Sequence, residues 1–124
     1  MMKRVGVMVA MVLSTVVAGR ADAGGRAGDF DYFALVLSWS PTYCAGEGDR
    51  NEAQCNGKRP YAFVLHGLWP QYERGFPRDC QAPAPRLNRD IMTSMLDLMP
   101  AQRLVYQQWD NHGTCSGLAA QAYF

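Results

Sequence analysis

The chain predicts an α+β fold, a central antiparallel sheet with flanking helices. Three observations lead there. Two short runs of strand-forming residues lie in the first half of the chain behind its leader, and apolar residues recur at helical spacing in the second half. Four cysteines stand where they can staple the segments between.

The leader comes first. Lys3 and Arg4 precede an apolar run, Val5 to Ala18, that is broken by Gly6, Ser14 and Thr15. Ala21-Asp22-Ala23 then offers small residues at cleavage positions. This is the order of a secretory signal peptide, and the run is short for a membrane anchor. Residues 1–23 are therefore expected to be removed, leaving 24–124 as one domain with no membrane attachment. The 124-residue chain has a formal net charge of +1, which becomes −1 once Lys3, Arg4, Arg20 and Asp22 leave. Net charge thus offers no argument for a polyanion ligand, and any such argument must come from a site.

An even cysteine count in a secreted chain reads as disulfides. The simplest unnested pairing is Cys44–Cys55 and Cys80–Cys115, with loops whose closure contributes roughly 3 and 4 kcal/mol. Zinc is disfavoured: no C-x-x-C pair is present and the histidines lie far from ligand spacing.

Taken in order, Gly24 to Gly28 reads as a flexible start and Phe30 to Trp39 as a central strand stopped by Ser40-Pro41. Tyr43 to Pro60 is polar and glycine-rich, a surface loop tied by its cysteines. Tyr61 to Leu65 is expected beside the first strand, ended by Gly67 and Pro70, so that His66 stands where a rigid strand opens into a loop. Pro70 to Arg86, with four prolines, is an extended irregular segment pinned by Cys80. Asn88 has the character of a helix N-cap with Asp90 in the first turn, and Ile91, Met95 and Leu98 or Met99 repeat at helical spacing until Pro100. These methionines are read as core filler. Gln102 to His112 reads as another helix, with Gln108 and His112 four apart on one face and Gly113 breaking it. Ser116 to Phe124 starts a further helical pattern with Ser116 as cap, and that pattern reads as interrupted at Phe124. Trp39 and Trp109 are assigned to the core.

His66 and His112 are the two histidines of the chain. Histidine titrates near neutrality, so a pair can supply a base and an acid together. A serine or cysteine nucleophile is the rival chemistry. However, G-x-S-x-G is absent, the cysteines look paired, and there is no glycine-rich phosphate loop. Residue types alone leave a structural role for both histidines open.

Longer motifs decide between these readings. His66-Gly67-Leu68-Trp69-Pro70 resembles the first active-site segment of the T2 ribonuclease family, secreted acid ribonucleases of fungi, plants and bacteria. Trp109-x-x-His112-Gly113-Thr114-Cys115 resembles the end of the second segment, usually His-Glu-Trp-x-Lys-His-Gly-Thr-Cys. Leu37-Ser38-Trp39-Ser40-Pro41-x-Tyr43-Cys44 resembles the family's first core strand, and the likeness runs from about Asp29 to Phe124.

The resemblance implies a ribonuclease T2-like fold with its C-terminal half missing here, and a Cys80–Cys115 bridge between the two segments. It implies cleavage of single-stranded RNA through a 2′,3′-cyclic phosphate, without metal or cofactor. His112 would be the base toward the 2′-hydroxyl and His66 the acid toward the leaving 5′-oxygen. Trp69 is read either as core or, by resemblance, as a base-stacking platform with Tyr72 as a second face. Gln107, Gln108 and Asn111 stand where the family has His, a catalytic Glu and a Lys. Neutral side chains there can still donate to phosphate, but loss of one charged stabiliser commonly costs roughly 10²–10³ in rate. The expectation is a monomeric, secreted or periplasmic ribonuclease of reduced power. The alternative is a catalytically silent relative that binds RNA or another partner.

Overall fold

The computed structural model describes residues 24–47 and 52–124. The expected signal peptide, residues 1–23, lies outside the described residues. The elements run β1 (Tyr32–Trp39), α1 (Ser40–Glu47), α2 (Glu52–Cys55), β2 (Phe63–Gln71), α3 (Arg89–Ser94), α4 (Gln102–Asn111) and α5 (Ala120–Tyr123). Among the described residues β1 and β2 form a two-stranded antiparallel sheet, and helices make up the rest. The mixed strand-and-helix architecture expected from the sequence is thus present. No described helix is long and apolar enough to cross a membrane.

Aromatic and branched residues make β1 a strand, and its alternation places Phe33, Leu35, Leu37 and Trp39 on one face. That face meets the core at Leu65, the partner of Leu37, but is otherwise largely open. Leu35 is 62% exposed and Trp39 47%, which corrects the assignment of Trp39 to the interior. Its ring instead rests on Phe63, its partner in the register, with centroids 4.8 Å apart.

β2 departs from expectation more sharply. The strand does not stop after Leu65 but runs on through Gly67 and Pro70 to Gln71. Val36 pairs with Gly67 and Leu37 pairs with Leu65, so His66 is the extra residue of a β-bulge. His66 therefore sits inside a strand at an irregularity, not at a strand–loop border. Gly67 absorbs the distortion with φ of +148°, a value that favours glycine. Pro70 is tolerated because a two-stranded sheet has only edge strands, where a missing N–H can face away from the partner.

The stretch expected as a loop after β1 instead holds α1 and α2. Pro41 fits the first turn of α1, where its missing N–H costs nothing. The Cys44–Cys55 disulfide, with Cα atoms 5.5 Å apart, joins the two helices. Asn88 caps α3 as its sequence indicated, its side chain accepting the Asp90 N–H at 2.8 Å. The helix ends at Ser94 rather than at Pro100. The hydroxyls of Thr93 and Ser94 donate back to the carbonyls of Arg89 and Ile91, and turns take over across 95–98. Met95 and Met99 still reach the interior, so the helical spacing located core residues correctly although the helix is shorter.

The core gathers Leu87, Met92, Met95, Met99, Val105, Trp109 and Tyr123, with Leu65 packed against it from β2. Trp109 is buried as expected and its indole N–H donates to the Pro85 carbonyl at 2.7 Å. At the end of the chain the helix begins at Ala120, not at Ser116. Ser116 instead closes a turn, its hydroxyl donating to Gly113 and accepting from the Leu118 N–H. Gly117, at φ +74°, follows in close approach to Gly28.

Two stability outcomes follow from this packing. Met99 is fully buried, and Met99→Ala is expected to cost about 2–5 kcal/mol in urea unfolding. Gly67→Ala is expected to cost about 1–3 kcal/mol by the same measurement, through backbone strain rather than a cavity.

Candidate active site

α4 carries the second motif toward β2. Its last turn buries Gln108 and Trp109, and His112 follows as the C-cap, with φ −125° and ψ −44°. The His112 N–H still bonds to the Gln108 carbonyl at 3.1 Å, so these two residues remain one turn apart, as their spacing indicated. Gly113 is required next. A Cβ there would strike the Trp109 ring, so glycine lets the chain turn tightly over the buried indole.

Trp69 of β2 meets this helix end in two ways. Its ring stacks on the His112 imidazole, with centroids 4.3 Å apart and planes 13° from parallel. Its Nε1–H donates to Gln108 Oε1 at 2.6 Å. An indole N–H can only donate, so Gln108 must present its oxygen, which leaves its amide –NH₂ outside this bond. Gly67 closes the arrangement: a Cβ there would lie 3.3 Å from both Gln108 Oε1 and the Tyr123 hydroxyl. That hydroxyl donates to the Leu68 carbonyl at 2.9 Å, and its burial drives the phenol pKa upward.

Burial favours the neutral form of both imidazoles. His112 is 6% exposed and its pKa falls to about 4, chiefly by burial, with the Arg78 charge adding to the fall and Asp79 opposing it. Its Nδ1 is buried without a hydrogen-bond partner, so no acceptor there supports the imidazolium. His66 is half-buried, and desolvation also lowers its pKa from 6.5.

The contacts unite Trp69, Gln108 and His112. His66 precedes Gly67 in β2, and among the described residues neither a hydrogen bond nor a ring contact joins its side chain to this cluster. Gln107 lies on the exposed side of α4, and Asn111 is half-buried with its carbonyl accepting the Asp79 N–H at 3.1 Å. Tyr72 stands past the end of β2, its hydroxyl near Gly25 rather than in the Trp69–His112 stack. The Cys80–Cys115 disulfide is present, with Cα atoms 4.9 Å apart. Among the described residues no group of three or more His, Cys, Asp or Glu side chains gathers where a metal ion could be held.

Sequence reasoning missed Phe76, Arg78 and Tyr123. The Phe76 ring lies 6.5 Å from the His112 ring. The signal for Phe76 and Arg78 was their closeness to Cys80, since its bond to Cys115 brings that segment to the His112 motif. Tyr123 carried no comparable signal.

Comparison with known proteins bears on the same residues. The family model described as the ribonuclease T2 family matches residues 30–124. A ribonuclease of Aeromonas hydrophila is 44% identical over 119 residues, covering 95% of this chain and 53% of its own length. A probable ribonuclease of Haemophilus influenzae is 35% identical over 107 residues, covering 76% of this chain and 39% of its own. The crystal structure of RNase NT in complex with 5′-AMP superposes with a TM-score of 0.63 at 33% identity, over 77% of this chain and 53% of that one. The chain thus spans about half the length of the relatives it matches. With a family model extending across both histidine motifs and a solved relative sharing the fold, the chain belongs to the ribonuclease T2 family.

Proposed function

We propose that the protein is a metal-independent endoribonuclease that cleaves single-stranded RNA. The observation that carries this reading is the buried, neutral His112 held against Trp69, with Trp69 itself fixed by Gln108. Family membership supports it.

In this reading the substrate brings its own nucleophile. His112 takes the proton of the ribose 2′-hydroxyl, and that oxygen bonds to the adjacent phosphorus. The bond from phosphorus to the 5′-oxygen breaks, and His66 protonates the departing oxygen. The products are a 2′,3′-cyclic phosphate and a free 5′-hydroxyl, and water can open the cycle with the two roles reversed. An acid, a base and charge stabilisation are what the protein must supply, and side chains can supply all three without a cofactor. DNA lacks the nucleophile. Gln108 serves as a positioning residue for Trp69 and offers its amide to phosphate. Asn111 and Gln107 are neutral donors at the rim.

Trp69 has one ring face against His112, so base stacking would use the other. Tyr72 is the candidate second platform. All these residues come from one chain, which suits a monomer. The two disulfides and the basic-then-apolar leader suit a secreted or periplasmic enzyme.

The alternative, a silent relative that binds RNA, is favoured by the neutral Gln107, Gln108 and Asn111. A dinucleotide assay on the purified, disulfide-bonded protein separates the two. His66→Ala and His112→Ala are each expected to lower kcat/KM at least about 10²-fold with RNA binding retained. Equal cleavage by wild type and both variants would sink the assignment.

The pH dependence has a defined sign. The base must be unprotonated, so activity should rise with pH through about 4, the His112 value. The acid must be protonated, so activity should fall above the His66 value, which lies below 6.5. A kcat/KM profile is expected to peak between these limits, and a maximum above neutrality would contradict the assignment of roles.

A further inference from the structure

Two histidines can move the protons of this reaction, but neither is a fixed cation for the negative charge on the phosphate oxygens. The groups packed on His112 do not answer it either: Trp69 is neutral, Gln108 is an amide, and Asn111 follows in the same turn. A cation nevertheless stands on another segment that is tied to this helix end. The segment from Phe76 to Cys80 lies over the end of α4 and is held at four points. Phe76 lies 6.5 Å from the His112 ring, and Pro77 is fully buried. The Asp79 N–H donates to the Asn111 carbonyl at 3.1 Å, and Cys80 is bonded to Cys115. Within it Asp79 lies in the left-handed region, at φ +52°.

Arg78 stands between the buried Pro77 and Asp79. Its Nε lies 3.4 Å from Asp79 Oδ2, with the two side chains 56% and 48% exposed. That pair engages Nε and leaves both terminal amino groups outside it. An exposed pair of this kind contributes only about 0–1 kcal/mol, so it orients the guanidinium without locking it away from a ligand. The guanidinium is also close enough to act electrostatically on His112, where it and Asp79 are the two charges felt.

We propose that Arg78 is the phosphate-binding cation of this site, its guanidinium taking a phosphate oxygen pair beside His112 while Asp79 holds its Nε. The planar fork suits two parallel hydrogen bonds to phosphate oxygens. The proposal rests on the ribonuclease reading for its substrate, although the anion site itself does not need cleavage to be tested.

The experiment is a 5′-AMP titration of the disulfide-bonded protein followed through the His112 ring proton by NMR. The same samples are assayed for dinucleotide cleavage and for the pH titration of His112. The variants are Arg78→Ala, Arg78→Lys and, as an equal change of charge elsewhere, Arg103→Ala. Arg78→Ala is expected to weaken 5′-AMP at least about 10-fold and to raise the His112 midpoint, because a repelling charge has gone. Arg78→Lys should keep the His112 midpoint low and retain part of the binding, and Arg103→Ala should change neither. Unchanged affinity in Arg78→Ala, an unmoved His112 midpoint, or no binding by wild type would each overturn the proposal. Arg78-dependent binding without cleavage by wild type would sustain Arg78 and remove the ribonuclease reading. Cleavage indifferent to Arg78→Ala would do the reverse.

Discussion

The site depends on one indole. Trp69 is the member of β2 that reaches the end of α4, and it does so with two different kinds of interaction. Its face covers the His112 ring and its N–H holds the Gln108 side chain. Stacking alone would allow the rings to slide, and the hydrogen bond alone would leave the imidazole unsupported. Together they fix distance and angle between strand and helix. Gly67 makes this possible by having no side chain where Gln108 Oε1 and the Tyr123 hydroxyl approach.

Much of this was legible in the residues because it was written locally. The Asn88 cap, the burial of Met95, Met99 and Trp109, and the one-turn relation of Gln108 to His112 all follow from side-chain chemistry at short range. What was not legible depends on partners distant in sequence. Gly67 and Pro70 read as strand-ending punctuation, yet in a two-stranded ribbon they are tolerated, and the bulge at His66 is visible only once β1 is laid alongside. Trp39 reads as core from its composition, but its face of β1 is one that the described residues leave open. The roles of Phe76 and Arg78 required knowing that Cys80 is joined to Cys115.

Charge is distributed here in an unusual way for phosphate chemistry. The last turns before His112 place the amides Gln107, Gln108 and Asn111, and the charges that act on its ring come from Arg78 and Asp79, just before Cys80. Burial dominates, and it favours the uncharged imidazole. A base held neutral is ready over a wide pH range but is a weak proton acceptor, since readiness and strength pull in opposite directions. The apolar stack against Trp69 that holds the ring still is also what keeps it weak.

The bulge has a consequence for how the strand tolerates change. Because His66 has no partner, Leu65 and Leu68 fall on the same face although they are three apart, and Trp69 falls on the other with Gly67. Side chains in a strand alternate strictly, so this phase shift exists only while the extra residue does. Deleting one residue between His66 and Trp69 would leave no extra residue to bulge: His66 would take the place opposite Val36, and Trp69 would keep its own opposite Ala34. The loss of one residue here is therefore absorbed by the bulge, and the strand beyond it keeps its two faces, at the expense of the conformation that sets His66 apart from the regular ladder.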